Sequence, residues 1–600
     1  MLFHVHLLVI LFLVISISSS LLCLFLSQPF TKVSIQETNF PIHSTFQLPS
    51  PLPAWPPGNG FASGHIDLGG LQVHQVTKFK KIWETYQGGP DNLGATFYEP
   101  NEIPNGYFML GSYAQPNSLP LFGSILVAKD KTDNKTSKKE ALMKPIDYTL
   151  IWSSQFSRTK QDLGHGYIWF PIPPKGYEAL GHVVTTSPEK PSLDKIRCVR
   201  KDLTEDCDIE NWIWGEGKNK NDYGFQVYSL CPFDKGTQSQ GLLVGAFGLI
   251  FVKDSRHYTQ LPLSCLKNKE MNFFSSMPNL LQIKALIKEY SPKIFLHPKE
   301  IYLPSSINWF FANGAKLYQK GQNSKPTSIH YDGSNLPQGG LDDETYWIDL
   351  PLDKKEREKL KKGNLPSFES YIHVKPIFGG TFSDIIFWVF YPFNGPAIAK
   401  LGPFNIPLGG FGEHVGDWEH ITLRISNFNG ILDKVFWSQH SGGTWIDASL
   451  LEFYNFNGSS SNKLVGYAAL HGHAIFPRQG MVPKGFDYIG IINDMKKSEL
   501  VLDCGERYVI IGADYDDEIN INLKTPPPPI WVNYAREWGP KVTYNIGILV
   551  KKLMMDNHVL VGVYKKIFLH LLNLFPNEIW GEEGPTGPKM KGSWNKDELI

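Results

Sequence analysis

Between about residue 60 and residue 265 the chain writes one pattern more than once, and a repeat constrains a fold more tightly than composition does. Phe97-Tyr-Glu-Pro-Asn-Glu-Ile-Pro-Asn-Gly-Tyr-Phe-Met-Leu-Gly111 and Trp169-Phe-Pro-Ile-Pro-Pro-Lys-Gly-Tyr-Glu-Ala-Leu-Gly181 share one order: an aromatic start, prolines, Gly-Tyr, then Leu-Gly. A degenerate third copy runs through Tyr223-Gly-Phe-Gln-Val-Tyr-Ser-Leu230 and Gly241-Leu-Leu-Val-Gly-Ala-Phe-Gly248. Repeats of roughly 70 residues made of short strands and turns predict a pseudo-symmetric unit in which each copy supplies a small sheet. Three such sheets make a prism. The recurring Pro and Gly-Tyr residues read as turn chemistry.

The chain, at 600 residues, is too long for a single core. With 54 Gly, 43 Pro and 13% aromatic residues, it reads as mainly β. The expected order is an apolar segment (1–28), a Pro/Ser-rich linker (29–59), the prism-like repeat domain (60–267) and a β-sandwich-like domain with a few helices (268–600). Apolar stripes predict a helix near 279–290 and a C-terminal helix over 546–575, and the polar, charged stretch 316–363 reads as loops with room for a short helix at 354–362. A formal net charge of zero gives no electrostatic case for nucleic acid.

The first residues are a different material. Leu7 to Leu26 carries no charge and is broken only by serines, which is long enough to span a bilayer as a helix. No Lys or Arg precedes it, and the apolar run resumes after the serines, so an uncleaved single-span anchor is expected, with a cleaved signal and secretion as the alternative. Lys32 is the first basic residue, which points weakly to a cytosolic body. The cysteines outside that segment read as buried free thiols, with a Cys198–Cys207 bridge as the alternative for a lumenal body. Asn134 and Asn457 open glycosylation sequons that matter only on the lumenal side.

The chemistry concentrates downstream. Gly409-Gly-Phe-Gly-Glu-His-Val-Gly-Asp-Trp-Glu-His-Ile-Thr-Leu-Arg-Ile425 packs acids and imidazoles into a run that becomes a strand. Alternation puts Asp417 and Glu419 on one face of it and His420 on the other. Two further clusters follow, around His440 and at His471-Gly-His473, where a strand would set both rings on one face. Imidazole with carboxylate suits zinc, iron or manganese. The candidate metal ligands are His414, His420, His440, His471 and His473, with Asp417 and Glu419 as candidate acid-base groups. The bland reading of the same residues is a turn and strand start whose polar groups bond to backbone or to one another.

The repeat unit, with Tyr148-Thr-Leu-Ile-Trp152 ahead of it, resembles the β-rich adaptor-binding region of large vacuolar sorting proteins that carry lipid at membrane contacts. More of the chain resembles the plant vacuolar protein sorting-associated protein 62-like family. The motifs that carry this are Phe295-Leu-His-Pro298, Tyr302-Leu-Pro-Ser-Ser306, Gly412-Glu-His-Val-Gly-Asp-Trp-Glu-His420, Ser438-Gln-His-Ser-Gly-Gly443, His471-Gly-His473, Arg536-Glu-Trp-Gly-Pro-Lys541 and Gly581-Glu-Glu-Gly-Pro-Thr-Gly-Pro588. That resemblance runs from about residue 50 to the end and implies a trafficking role of undefined chemistry. Two functions follow as expectations. One is a membrane-anchored, non-catalytic module that binds lipid or trafficking proteins; the other is a metal-dependent hydrolase or metal-supported carbohydrate binder.

Overall fold

The computed structural model describes residues 44–598 except 59, 133–138, 157–163, 217–223, 255–256, 261, 271–272, 322–324, 402–403, 441, 487–488, 514–526, 544–580 and 583. The anchor at 7–26, the sequon at Asn134 and the C-terminal helix expected at 546–575 lie outside the described residues. Among those described, no helix is long and apolar enough to cross a membrane.

The protein is mainly β, and the repeat is visible in the strand pairing. Phe79–Thr85, Ala95–Pro100 and Tyr113–Pro116 form one three-stranded antiparallel sheet. Asp147–Ser153, Tyr167–Ile172 and Val183–Thr185 form the second. Thr204–Gly215, Gly224–Pro232 and Phe247–Asp254 form the third, inside a larger sheet. The inward residues of all three meet in one aromatic core, with Trp83, Phe97, Ile168, Val184, Trp214 and Phe247 buried together. The arrangement is prism-like, and the degenerate copy is a full member of it.

Equivalent positions of the three copies touch where they converge. A Cβ placed on Gly181 would lie 2.7 Å from Cβ of Ala246 and 2.9 Å from Cα of Gly111. The Leu-Gly of the repeat is therefore a packing requirement, since backbone atoms approach where a side chain has no room. Gly181→Val is expected to cost about 3 kcal/mol or more through overpacking, read as a shift in the urea midpoint with an unchanged slope.

The cysteines depart from expectation. Cys207 is bridged to Cys265, 58 residues away, with Cα atoms 5.3 Å apart. These residues lie on adjacent antiparallel strands, Thr204–Gly215 and Ser264–Lys267, a pairing that spacing along the chain does not reveal. Cys198, Cys231 and Cys504 are buried free thiols.

The second half is built on a six-stranded sheet. In chain order its strands are β1 (Ser370–Ile377), β2 (Phe382–Asn394), β3 (His414–Ser426), β4 (Leu432–Gln439), β5 (Gly442–Asp447) and β6 (Tyr508–Gly512). In space the order is β5-β4-β3-β2-β1-β6, antiparallel except for β6 beside β1. Every residue of β2 is buried, as its unbroken apolar run predicts. One face packs Phe387, Val389, Ile421 and Leu423 against helix α1 (Leu280–Tyr290) and a smaller sheet that contributes Ile294, Leu464 and Leu502. That makes a sandwich-like pair of layers. Helix α1 begins at a capping box of Asn279 and Gln282, which satisfies two orphan donors of its first turn. The other face of the large sheet is covered by Trp531, Trp538 and the C-terminal Trp594.

The Pro-rich stretch expected as a linker is docked from residue 44 onward. Trp55 donates its ring N–H to the Asn429 carbonyl at 2.9 Å, and Gln282 reaches the Pro56 carbonyl at 2.9 Å. Phe46, Leu48 and Leu52 pack on the same core as α1. Proline excludes helix and central strand, but it does not keep an extended chain off a surface.

Candidate functional site

Strand β3 sets the acids of the site. Tyr391 of β2 pairs with Asp417, and Val389 with Glu419. Both acids therefore share the face whose Ile421, Leu423 and Ile425 build the core, at the end of the strand where the apolar layer stops. The strand can turn into this position because of Gly416. Its φ is +70°, and a Cβ there would sit 2.2 Å from the Trp538 carbonyl oxygen.

The histidine pair arrives from elsewhere. His471-Gly-His473 is not a strand: it is a turn after Ser459–Ala468, with φ of +67° at His471 and +52° at His473. Non-glycine residues hold positive φ only when their surroundings impose it, and here the surroundings are acidic. Nδ1 of His473 lies 2.8 Å from Asp417 Oδ2, and its Nε2 lies 3.7 Å from Glu300 Oε2. The backbone N–H of His471 donates to Glu300 at 2.6 Å, and its Nδ1 is 3.4 Å from the same carboxylate. Tyr391 stacks flat on the His473 ring at 3.8 Å. Gly395, just past the end of β2, donates its N–H to the His471 carbonyl.

The charges in this cluster are strongly coupled. Burial alone would lower the His473 imidazole, but hydrogen bonds and charges from Asp417 and Glu300 outweigh it and push it up to about 10. Burial likewise opposes ionisation of Glu300, yet His471 and His473 hold it well below the usual carboxylate range. Glu419 behaves oppositely: burial first and the charge of Asp417 second raise it well above the ordinary value. Burial lowers Lys591, with Glu419 and Asp417 working against that shift. Burial also lowers His414, whose Nδ1 has no hydrogen-bond partner among the described residues.

Asp417, Glu419, His414, His440, Asn394 and Lys591 line one cavity of about 390 Å³, within the range of small-ligand sites. Asn394 ties its rim by donating to the Gly412 carbonyl at 2.6 Å. Its far wall is the C-terminal tail, which brings Gly584, Pro585, Thr586 and Lys591. The tail is held by buried charges on the opposite sheet face. Arg424 binds both oxygens of Asp384 at 2.8 Å and Asp597 at 2.6 Å. Glu598 accepts from Thr422 at 2.6 Å and lies 3.3 Å from His420.

The candidate metal ligands have the following partners. His420 is on the other face, against Glu598, as the alternation of β3 dictates. His440 meets Asn493 at 3.0 Å, His471 meets Glu300, and His473 is engaged by Asp417. His420, on that other face, is set apart from His414 and His440, which line the cavity. Among the described residues no group of three or more His, Cys, Asp or Glu side chains is arranged to hold a metal ion. Acids, amides and Lys591 line one cavity, with His473 bound to Asp417 at its edge. Glu300, Tyr391, Asn394 and Lys591 are the members sequence reasoning missed; Glu300 lies 171 residues from His471, and no local pattern marks such a pairing.

A buried carboxylate beside another is a strained arrangement that costs stability and is kept where it serves a site. Because its folded value is raised, Glu419 stabilises through the proton it retains, a contribution complete below its ordinary 4.5 and lost as pH climbs. Glu419→Gln is therefore expected to gain about 1–2 kcal/mol at pH 7 and to flatten the loss of stability between pH 5 and 8, measured by urea unfolding across that range.

A threefold strand repeat joined to a sandwich, with a polar cavity lined in part by the C-terminal residues 584–591, defines a β-rich protein. The chain belongs to the vacuolar protein sorting-associated protein 62 family, whose model matches residues 42–598. Among relatives in Saccharomyces cerevisiae, vacuolar protein sorting-associated protein 62 is 36% identical over 183 residues, 27% of this chain and 36% of that protein. The putative vacuolar protein sorting-associated protein TDA6 is 29% identical over 188 residues, 27% of this chain and 37% of that protein. The chain thus spans little more than a third of the length of these relatives. Among solved structures, GNIP1Aa from Chromobacterium piscinae overlaps 32% of this chain and 37% of its own at 18% identity, with a TM-score of 0.24.

Proposed function

We propose that the chain is a non-catalytic, membrane-associated binding protein of vacuolar sorting. Its cavity beside Asp417 and Glu419 takes a small, hydroxyl-rich polar group, such as a saccharide or a polyol headgroup. Family membership supports the trafficking role, and residues 7–26 would supply the attachment. The observation that carries the ligand class is the lining itself. Asp342 and Asp417 are acceptors; the proton-retaining Glu419, Asn394 and Asn493 both give and accept; Lys591 is a donor on the wall. Such a set of mixed donors and acceptors matches many neutral hydroxyls.

The hydrolase reading is less well supported. A catalytic zinc needs three protein ligands and an open position, whereas Nδ1 of His473 is engaged by Asp417 at 2.8 Å and His420 lies against Glu598 on the other face. Calorimetric titration of the purified protein with a panel of monosaccharides, myo-inositol and glycerol tests the proposal. Binding by at least one compound, weakened tenfold or more in Glu419→Gln, is the expected result. Failure of all of them, or binding that Glu419→Gln leaves unchanged, would overturn it. Stoichiometric zinc lost on His414→Ala would replace it with the metal-supported reading.

A further inference from the structure

Two features outside the cavity bear on which side of a membrane the body occupies. The first is the Cys207–Cys265 bridge, which ties the third repeat copy through a partner that is 1% exposed. Disulfides form and persist in oxidising compartments and are rare in the cytosol. The second is the setting of Asn457. Phe456 pairs with Ser459 across a hairpin, leaving Asn457-Gly458 as a two-residue loop. Both loop residues have positive φ, +50° and +82°, the signature of a type I′ turn. Asn457 is exposed, and space around Gly458 is open to at least 4 Å. Asn-Gly-Ser is also a glycosylation acceptor, and this one stands at a hairpin tip where a bulky glycan meets no wall.

We infer that the folded body lies on the lumenal side of a secretory-pathway membrane, where Cys207 and Cys265 are oxidised and Asn457 carries an N-linked glycan. This reverses the side suggested by Lys32. The two thiols give two protons and two electrons to a disulfide-bearing oxidant of the compartment, which is reduced to its dithiol as the S–S bond forms. At Asn457 the side-chain amide nitrogen bonds to the anomeric carbon of a lipid pyrophosphate-linked oligosaccharide. The anomeric C–O bond breaks, the lipid pyrophosphate leaves with the electron pair, and the amide gives up one proton. The inference stands apart from the cavity, so its failure would leave the ligand proposal intact.

The test uses the full chain expressed in a eukaryotic secretory cell. Peptide-N-glycosidase treatment in heavy-oxygen water should convert Asn457 to labelled Asp, and Asn457→Gln should lose one glycan's mobility on a gel. Ser459→Ala keeps the asparagine, removes the acceptor, and should lose the same step. Peptide mapping without reductant should recover Cys207 and Cys265 as one linked pair that separates on reduction. An unmodified Asn457 in folded protein, or Cys207 and Cys265 alkylated without prior reduction, would each overturn the inference.

Discussion

Arg424→Met is expected to lower the free energy of unfolding by about 3–5 kcal/mol, the cost of breaking a buried ion pair from one side. Arg424 and Asp384 are both fully buried; Nε and Nη2 of the guanidinium grip the two oxygens of Asp384, and the same Nη2 also donates to Asp597. Methionine fills much of the volume but leaves the Asp384 carboxylate with no counter-charge at the centre of the sheet. The effect should reach the cavity, although Arg424 does not line it. Asp597 anchors the tail that supplies Thr586 and Lys591 to the cavity wall. Limited proteolysis should cut the variant's tail under conditions that spare the wild type, and ligand affinity should fall with it. Combining Asp384→Leu with Arg424→Met should recover most of the lost stability, because replacing a whole buried pair costs far less than orphaning half of it. Urea unfolding of the three proteins measures this.

His473→Ala should be comparably damaging, by about 3–5 kcal/mol at pH 7, and its pH dependence should identify the cause. The imidazole is fully buried and serves two carboxylates at once. Its folded value is raised from 6.5 to about 10, so its contribution is complete below 6.5 and is lost as pH rises through 10. Glu300 has the reverse sign: its value is lowered from 4.5, so its contribution is complete above 4.5 and is lost in strong acid. The wild type should lose stability between about pH 7 and 10, and the variant should lack that alkaline step. Thermal unfolding in a pH series reads both.

Much of the scaffold could be read from local pattern. The repeat, the buried β2 and helix α1 follow from periodicity and turn residues, and the shared face of Asp417 and Glu419 follows from strand alternation. The convergence of His473 on Asp417 was also within reach, since both stood in polar clusters inside apolar runs. What local pattern could not convey was conformation imposed from outside. His471-Gly-His473 alternates like a strand, yet Glu300 and Asp417 pull it into a positive-φ turn. Lys591, Glu300 and the Cys207–Cys265 bridge are set by which distant segments the topology brings together. Of the five candidate imidazoles, His420, His440, His471 and His473 each meet a partner that sequence spacing does not display.

The acids of β3 and the distant histidine turn meet at His473, whose ring lies between Asp417 and Glu300. Nuclear magnetic resonance titration of the ring nitrogens of His473, in protein selectively labelled at histidine and assigned with His473→Ala, tests this pairing most directly. Imidazolium shifts that persist from pH 6 to 9, with a midpoint near 10, are the predicted result. A midpoint at or below the ordinary 6.5 would contradict it.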